Sequence, residues 1–132
     1  MKTIEEANEY FKNDRYAVEV TGVKIESVNE NYAKCSLKIE NKHFNAANQI
    51  MGGAIFTLAD YTFAVATNTP EQHIVTSSSQ IIYLGTAKGD TLFAESQIIK
   101  FGKNLCTFQI NISDNLNNKI AVVLFSGMKV NY

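Results

Sequence analysis

The fold of this chain is decided by one apolar stretch, Met51-Gly52-Gly53-Ala54-Ile55-Phe56-Thr57-Leu58-Ala59-Asp60-Tyr61-Thr62-Phe63-Ala64-Val65-Ala66-Thr67. It holds a single charged residue, Asp60, in seventeen positions. Alanine and leucine favour a helix, and the stretch is too long for an ordinary strand. The helix should end at Asn68-Thr69-Pro70, because the residue before a proline avoids the helical conformation. A helix that is apolar on nearly all sides has to be wrapped by other elements.

Strands are predicted on both sides of this helix. Upstream, apolar and polar residues alternate from Tyr16, and past Gly22 the alternation resumes at Val23 and Ile25 with its phase shifted by one. A second alternating run covers residues 33–39. A glycine at such a slip predicts a β-bulge, and the turn residues 29–31 would join the two strands in an antiparallel hairpin. Four strand-like runs follow the helix, at residues 73–84, 91–101, 105–113 and 119–130. Residues 120–125 are apolar on both faces, which predicts a strand covered on both sides.

The N-terminal Thr3-Ile4-Glu5-Glu6 has the pattern of a capping box and predicts a short amphipathic helix over residues 3–12. Short connectors favour antiparallel neighbours among the strands. We therefore predict an α+β fold in which a curved antiparallel sheet of five to six strands wraps one long central helix. The chain should form a single domain over residues 1–132.

The composition excludes several classes of protein. Hydrophobic residues make up 45% of the chain, enough for a real core, and a net charge of −1 without a basic stripe argues against nucleic-acid binding. No stretch reaches the roughly 18 apolar residues of a membrane span, and residues 1–6 lack the apolar segment of a secretory signal. We therefore expect a cytoplasmic protein without a membrane partner. Cys35 and Cys106 lie on different predicted strands and are expected to be buried thiols.

Asp60 is the first candidate for chemistry. Because burying an unpaired carboxylate is costly, Asp60 either reaches solvent or an interface, or serves as a base or nucleophile. Gly52-Gly53 leave the first backbone N–H groups of the helix uncovered, which suits a developing oxyanion, although close helix–sheet packing would also explain two glycines. Asp60 lies about 12 Å from Gly52 along the helix axis. Both could serve one substrate only if a second subunit supplied one of them.

The segment from Asn45 to Asp60 resembles the signature of the phenylacetate-degradation-type (PaaI-like) hotdog thioesterases. In that family an Asn stands six residues before a His-Gly-Gly, and an acidic residue follows the first Gly by eight; Asn45, Gly52, Gly53 and Asp60 occupy these positions here. The run at residues 75–84 resembles the family strand whose Thr or Ser places the water, and Thr76 is the matching residue. Residues 87–90 and 100–103 resemble the connector and the basic-Gly-basic turn that lie near coenzyme A.

The resemblance implies a hotdog fold and hydrolysis of an acyl-CoA thioester to a free acid and coenzyme A, with no metal and no cofactor beyond the coenzyme A of the substrate. Asp60 would act as general base or nucleophile, and the N–H groups of Gly52 and Gly53 would form the oxyanion hole. Asn45 would orient the substrate or water, and Thr76 would position the carboxylate or water.

The resemblance also implies residues that bind the substrate or its coenzyme A: Met51, Gly89, Lys100, Gly102 and Lys103. Lys103, with Lys88 or Lys100, would pair with coenzyme A phosphates, unless these lysines are simply solvated strand ends. In the family, two subunits join their sheets, their helices lie side by side, and two sites form at the interface. The implied assembly is therefore a homodimer, with dimers pairing into tetramers.

The chain departs from the family pattern where Met51 replaces the family His. Methionine has no N–H donor, so a second interpretation is an acyl-CoA or aromatic-acid binding protein with little or no turnover. A hotdog dehydratase is a third, which the absence of its His-Asp arrangement disfavours. Asn48 replaces a family Gly but can also adopt a positive φ. His43 is expected to be a loop histidine in polar surroundings, and His73 a surface residue.

Overall fold

The computed structural model describes residues 3–131. Two helices and six strands make up the framework, with one turn of π-helix and one of 3-10 helix between them. The elements in chain order are α1 (Ile4–Tyr10), the π-helix (Tyr16–Thr21), β1 (Val23–Asn29), β2 (Tyr32–Lys38), the 3-10 helix (Asn41–His43), α2 (Gly52–Thr67), β3 (His73–Tyr83), β4 (Thr91–Phe101), β5 (Leu105–Asp114) and β6 (Lys119–Val130).

The six strands form one antiparallel sheet in the order β1-β2-β4-β5-β6-β3. The predicted α+β architecture is therefore confirmed, and the number of strands is six. The boundaries of β4 and β6 agree with the sequence prediction at both ends, while β3 ends one residue earlier and β5 one residue later. Because β3 and β1 are the two edges of the sheet, their outer backbone groups are available for pairing with another chain.

The central helix packs its aromatic side chains into the concave side of the sheet. Phe63 stacks on Phe125 with ring centroids 4.8 Å apart and meets Phe108 edge-on at 5.6 Å. Gly127 leaves the room for this cluster, because a Cβ at that position would lie 2.8 Å from Phe63 Cζ and 2.6 Å from Ile74 Cγ2. Cys35 and Cys106 are buried and free, as predicted.

The prediction for the segment before β1 is wrong. Residues 16–21 form the π-helix, and Gly22 is its C-cap with φ 93°, its N–H donating to Ala17 O. The alternation of Val18 and Val20 is misleading because the buried residues of the segment are Ala17 and Thr21, four positions apart on one helical face. The irregularity in β1 lies further on, between Ile25 and Ser27.

The N-terminal helix is confirmed but shorter than predicted. Thr3 is its N-cap, and the Thr3 hydroxyl accepts the Glu6 N–H at 3.1 Å. The helix ends at Tyr10 because Phe11 turns inward as the C-cap and is buried against Tyr61, with ring centroids 5.6 Å apart. None of the helices within residues 3–131 has the length and apolar character of a membrane-spanning segment.

Residues 120–125 were predicted to form a strand covered on both faces. In the single chain this holds for the face of β6 that packs against α2. Val123 and Phe125 are fully buried against α2, whereas Leu124 between them is 43% exposed on the outer face of the sheet. Leu105, Met128 and Ile82 share that outer face with Leu124, since Met128 pairs with Leu105 and Val122 with Ile82. Polar residues such as Gln109 and Asn111 lie between them on this face, so exposed apolar residues alternate with polar ones, and none of residues 3–131 covers Leu124 or Leu105.

Candidate active site

The loop before α2 is held in a fixed shape by Asn45. Its side-chain oxygen accepts the N–H groups of Ala47 at 2.9 Å and Gln49 at 3.1 Å, and its own N–H donates to Gln49 O at 2.7 Å. Asn48 has φ 60°, as the sequence predicted for the residue that replaces a family glycine. The hydrogen bonds within the loop use the side-chain oxygen of Asn45. The NH₂ group of the same side chain is therefore the part left for a substrate.

His43 anchors this loop and is buried, whereas the sequence predicted a loop histidine in polar surroundings. Its side chain is 4% exposed, its Nδ1 accepts the Glu40 N–H at 2.9 Å, and its Nε2 lies 2.7 Å from Thr21 O. The carbonyl oxygen of Thr21 requires a proton on Nε2, so His43 is the neutral Nε2–H tautomer. Both ring nitrogens are therefore used for structure, and His43 has no nitrogen to offer a substrate.

The first turn of α2 presents two backbone N–H groups. Met51 is the N-cap, its side chain makes no capping bond, and its carbonyl oxygen accepts the N–H groups of Ala54 and Ile55. The N–H groups of Gly52 and Gly53 come earlier in the turn and have no acceptor within the helix. With no side chain capping them, these two donors and the positive end of the helix dipole are available to an anion.

A cavity of about 490 Å³ opens beside this turn. It lies between α2, the Asn45–Gln49 loop and the segment after β3, and Gly52, Tyr83 and Gly89 are among its lining residues. Ile39, Ile55 and Ile120 supply apolar surface. Gly89 is therefore close to the helix N-terminus, as the prediction of a shared site requires.

Asp60 lies on a stripe of α2 that none of residues 3–131 covers. Gly53 and Asp60 are exposed, and Thr57 and Ala64 are half-buried, at the spacing of one helical face. The protein packed around the carboxylate raises the pKa of Asp60, and the negative charge of Asp14 raises it further. In the single chain the face of α2 that carries Asp60 therefore reaches solvent, which was one of the two explanations predicted for this residue. The raised pKa of Asp60 is also suitable for a general base, which was the other.

Thr76 faces α2 from the edge strand. It pairs with Gly127, where a Cβ would point at Phe63 of α2. Because directly paired residues of antiparallel strands project to the same face of the sheet, the side chain of Thr76 is directed to the α2 side. Ser79 and Tyr83 share this helix-facing side, because they pair with Phe125 and Ala121 in the same alternation. The uncovered stripe of α2 and the polar residues of β3 together form an open surface, with no opposite wall among residues 3–131.

The residues predicted to contact coenzyme A fall into two places in the chain. Gly89 precedes β4, and Lys100, Gly102 and Lys103 lie at its other end, where they line a groove of about 420 Å³. An eleven-residue strand separates them by about 33 Å. One chain therefore does not bring all of them to the same ligand.

Gly89 also has a structural reason to be glycine. A Cβ there would lie 1.8 Å from Asn115 Oδ1, which accepts the N–H groups of Asp90 and Thr91. Asp114 holds the same connector by accepting the N–H groups of Lys88 and Gly89 at 2.8 and 3.0 Å. Lys88 and Gly89 are thus fixed to the β5–β6 turn.

Comparisons with known proteins identify the family of this chain. Residues 48–121 match the model of a family described as the thioesterase superfamily. A curated relative from Escherichia coli, named acyl-coenzyme A thioesterase PaaI, is 31% identical over 96% of this chain and 89% of its own length. The chain belongs to the thioesterase superfamily. A second relative, from Archaeoglobus fulgidus and named a putative esterase, is 32% identical over 97% of this chain and 84% of its own length.

The solved structure of the E. coli PaaI protein from the phenylacetic acid degradation operon superimposes with a TM-score of 0.88 at 25% identity, covering 96% of this chain and 92% of that one. The fold is therefore the hotdog fold, and the resemblance to PaaI-like thioesterases is confirmed. Membership of the thioesterase superfamily identifies the protein as a thioester hydrolase.

Sequence reasoning missed three residues that this site contains. Tyr83 and Ser79 could have been found by continuing the alternation of β3 through its irregularity at Thr76/Ser78, which reverses the parity. Asp14 gave no local signal, because its effect on Asp60 acts between positions 46 residues apart in sequence.

Proposed function

We propose that the protein hydrolyses acyl-CoA thioesters, in sites that two chains build together. The observation that carries the proposal is the first turn of α2, where two uncapped glycine N–H groups border an apolar cavity and the acidic Asp60 follows on the same helix. The name of the E. coli relative supports coenzyme A as the carrier of the acyl group. The reaction would use no cofactor beyond the coenzyme A of the substrate.

In the proposed reaction the thioester oxygen binds to the N–H groups of Gly52 and Gly53. Asp60 removes a proton from water as the water oxygen attacks the carbonyl carbon, and the negative charge that develops on the thioester oxygen is stabilised by the two N–H groups. The C–S bond then breaks, and the thiolate of coenzyme A takes the proton from Asp60. Direct attack by Asp60, giving an anhydride that water hydrolyses, is the alternative with the same overall balance.

Within the site, the NH₂ group of Asn45 would orient the substrate or water, and the hydroxyl of Thr76 would position the water or the carboxylate. The apolar walls of the cavity would receive the acyl group. Met51, which is 58% exposed beside these donors, would contact the substrate through its side chain.

A second chain is needed because of distance. Gly52 and Asp60 are about 12 Å apart along one helix, too far to act on the same carbonyl. The uncovered stripe of α2 and the edge strand β3 support a homodimer in which β3 pairs with its copy and Asp60 faces the partner's helix N-terminus. The exposed apolar residues Leu105, Leu124, Met128 and Ile82 on the outer face of the sheet support a further pairing of dimers.

Coenzyme A would be held by contributions from different chains. The groove beside Lys100, Gly102 and Lys103 presents two ammonium groups, which suit phosphates as point charges. Lys88 and Gly89, fixed by Asp114, would contribute from the other end of β4.

The test is turnover of a panel of short, medium and aryl acyl-CoAs, followed as release of free thiol. We expect hydrolysis by the wild-type protein, unchanged by a metal chelator, and a loss of about 10²-fold or more in kcat for Asp60→Asn. Glu71→Gln, at an exposed loop position, is the matched control. Full activity in Asp60→Asn would refute the assignment of Asp60, and the absence of turnover on every thioester would refute hydrolysis.

One observation favours a second candidate function. Met51 provides neither a cap nor a donor at the position where the family has His. The alternative is a protein that binds an acyl-CoA or an aromatic acid with little or no turnover. Binding of coenzyme A without thiol release would support it, and so would a large gain in rate for Met51→His that the outer-face control Met128→His does not show.

A further inference from the structure

Tyr83 contacts the peptide group that contains one of the two proposed oxyanion donors. Its hydroxyl donates a hydrogen bond to Gly52 O at 2.9 Å. Because Gly52 C=O and Gly53 N–H belong to the same peptide unit, a proton donated to that carbonyl draws electron density away from the N–H. Hydrogen bonds in such chains polarise one another by about 10–30% per bond.

The position of Tyr83 is fixed by the sheet and not by the helix. It is the last residue of β3 and pairs with Ala121 of β6, and the next two N–H groups, of Leu84 and Gly85, donate to Ile120 O at 2.8 and 3.3 Å. The helix N-terminus is thereby held at a set distance from a strand. Displacement of that turn would require breaking the bond between the two elements.

The bonded position of the phenol also requires a residue without a Cβ at position 52. A Cβ at this position would lie 2.7 Å from Tyr83 Oη and 3.0 Å from Tyr83 Cζ. A Cβ at Gly53 would meet the side chain of Met51, with Cε at 3.7 Å and Sδ at 4.0 Å, which are ordinary contacts. Gly52 therefore makes room for the Tyr83 phenol, whereas the N–H of Gly53 that the phenol polarises would be present with any residue except proline.

The side chain of Tyr83 is 51% exposed, so that burial of its ring is not the main contribution of this residue. The exposed part borders the 490 Å³ cavity, next to Gly52. A phenol that is half in solvent, attached to a rigid strand and bonded to the carbonyl behind a proposed donor has the geometry of a positioning residue.

We propose that Tyr83 is a positioning residue for thioester hydrolysis: its hydroxyl orients the Gly52–Gly53 peptide and strengthens the Gly53 N–H as an oxyanion donor. This inference rests on the proposed function. Removal of one oxyanion donor costs about 10²- to 10³-fold in kcat. If the bond to Tyr83 supplies about 10–30% of the free energy that corresponds to this loss, its removal costs about two- to eightfold in kcat. This is the effect that we expect for Tyr83→Phe, with KM unchanged.

The kinetic test compares Tyr83→Phe with Tyr32→Phe, which removes a different phenol hydroxyl, one bonded to Glu95 on the sheet. A second substitution separates polarisation from packing. 3-Fluorotyrosine at position 83 is a stronger hydrogen-bond donor of nearly the same shape, so at a pH where the phenol is protonated kcat should rise above that of the wild type. A purely structural role would leave kcat unchanged by fluorination.

An independent readout is the amide resonance of Gly53. In Tyr83→Phe its proton should move upfield, because the N–H is less polarised, and Tyr32→Phe should leave it in place. An unmoved Gly53 amide, an effect confined to KM, or a kcat that fluorination does not raise would overturn the role of Tyr83 while wild-type hydrolysis stands. A wild-type protein that cleaves no thioester would instead overturn the proposed function, and the role of Tyr83 with it.

Discussion

Asp60 shows at the scale of one residue how site and stability oppose each other. Its carboxylate is exposed in the single chain, yet the surrounding protein and the charge of Asp14 raise its pKa. A group whose folded pKa exceeds its unfolded value destabilises the fold once it is ionised. The same property that suits a general base therefore reduces the stability of the folded chain at neutral pH.

The first prediction follows from that sign. Asp60→Asn should raise the Tm at neutral pH while it abolishes most of the activity, because the uncharged amide avoids the penalty on the carboxylate. The gain should vanish below about pH 4, where the carboxyl is protonated in both the folded and unfolded states. Thermal unfolding of both proteins across this pH range measures it, and an equal gain at low pH would contradict the electrostatic explanation.

The second prediction concerns Asp14, whose charge is the second cause of the raised pKa of Asp60. Asp14→Asn should lower that pKa, so that the acid limb of kcat/KM moves to lower pH and the variant is faster than the wild type on that limb. Glu19→Gln, an exposed acid nearby in sequence, is the control. If the acid limb stays in place, the group that titrates in the profile is not Asp60.

At the scale of elements, buried side chains decide which segments stay together. The alternation of residues 105–113 and 119–130 identifies two strands, but Asp114 determines how their turn meets the distant connector at Lys88. Its carboxylate is buried and accepts N–H groups from Lys88, Gly89, Leu116 and Asn118. Burial alone would raise the pKa of Asp114, but the Asn118 side chain and these N–H donors outweigh it and lower the pKa.

The third prediction is that the contribution of Asp114 to the stability of the fold is lost in acid. A lowered folded pKa stabilises the fold above the unfolded value near pH 4, and that contribution is lost as the pH falls further. Asp114→Asn should have a lower Tm at neutral pH and a flatter loss of stability on acidification. Asp90→Asn is the control: the Asp90 carboxylate accepts the neighbouring Thr91 hydroxyl, and the variant should behave like the wild type. Equal acid sensitivity of Asp114→Asn and the wild type would refute this prediction.

At the scale of the whole molecule, one chain leaves its proposed site incomplete. The apolar walls, the N–H donors and Gly89 meet at one end of α2, while Asp60 and Thr76 lie on an open surface further along it. Symmetric pairing through the edge strand would complete two equivalent sites at once.

The fourth prediction tests shared sites by mixing variants. Gly53→Asp should fold, since an acid in the first helical turn is favourable, but its charge beside the oxyanion should remove most activity. Unfolded and refolded together with Asp60→Ala, it should regain about one quarter of wild-type activity, because half of the dimers are mixed and each has one intact site. No recovery, with mixed dimers verified by mass, would place both groups in the same chain.

The sequence by itself determined the order of the elements, the central helix and the candidates Gly52, Gly53 and Asp60, and its resemblance to the PaaI-like family added Asn45. Periodicity and spacing are local properties, and a local pattern is enough to specify them. The tertiary structure decided that residues 16–21 are a π-helix, that His43 is buried, and that Gly89 lies far from Lys103 along β4. These depend on contacts between segments distant in sequence, such as Thr21 with His43 and Tyr83 with Gly52, which no local pattern contains.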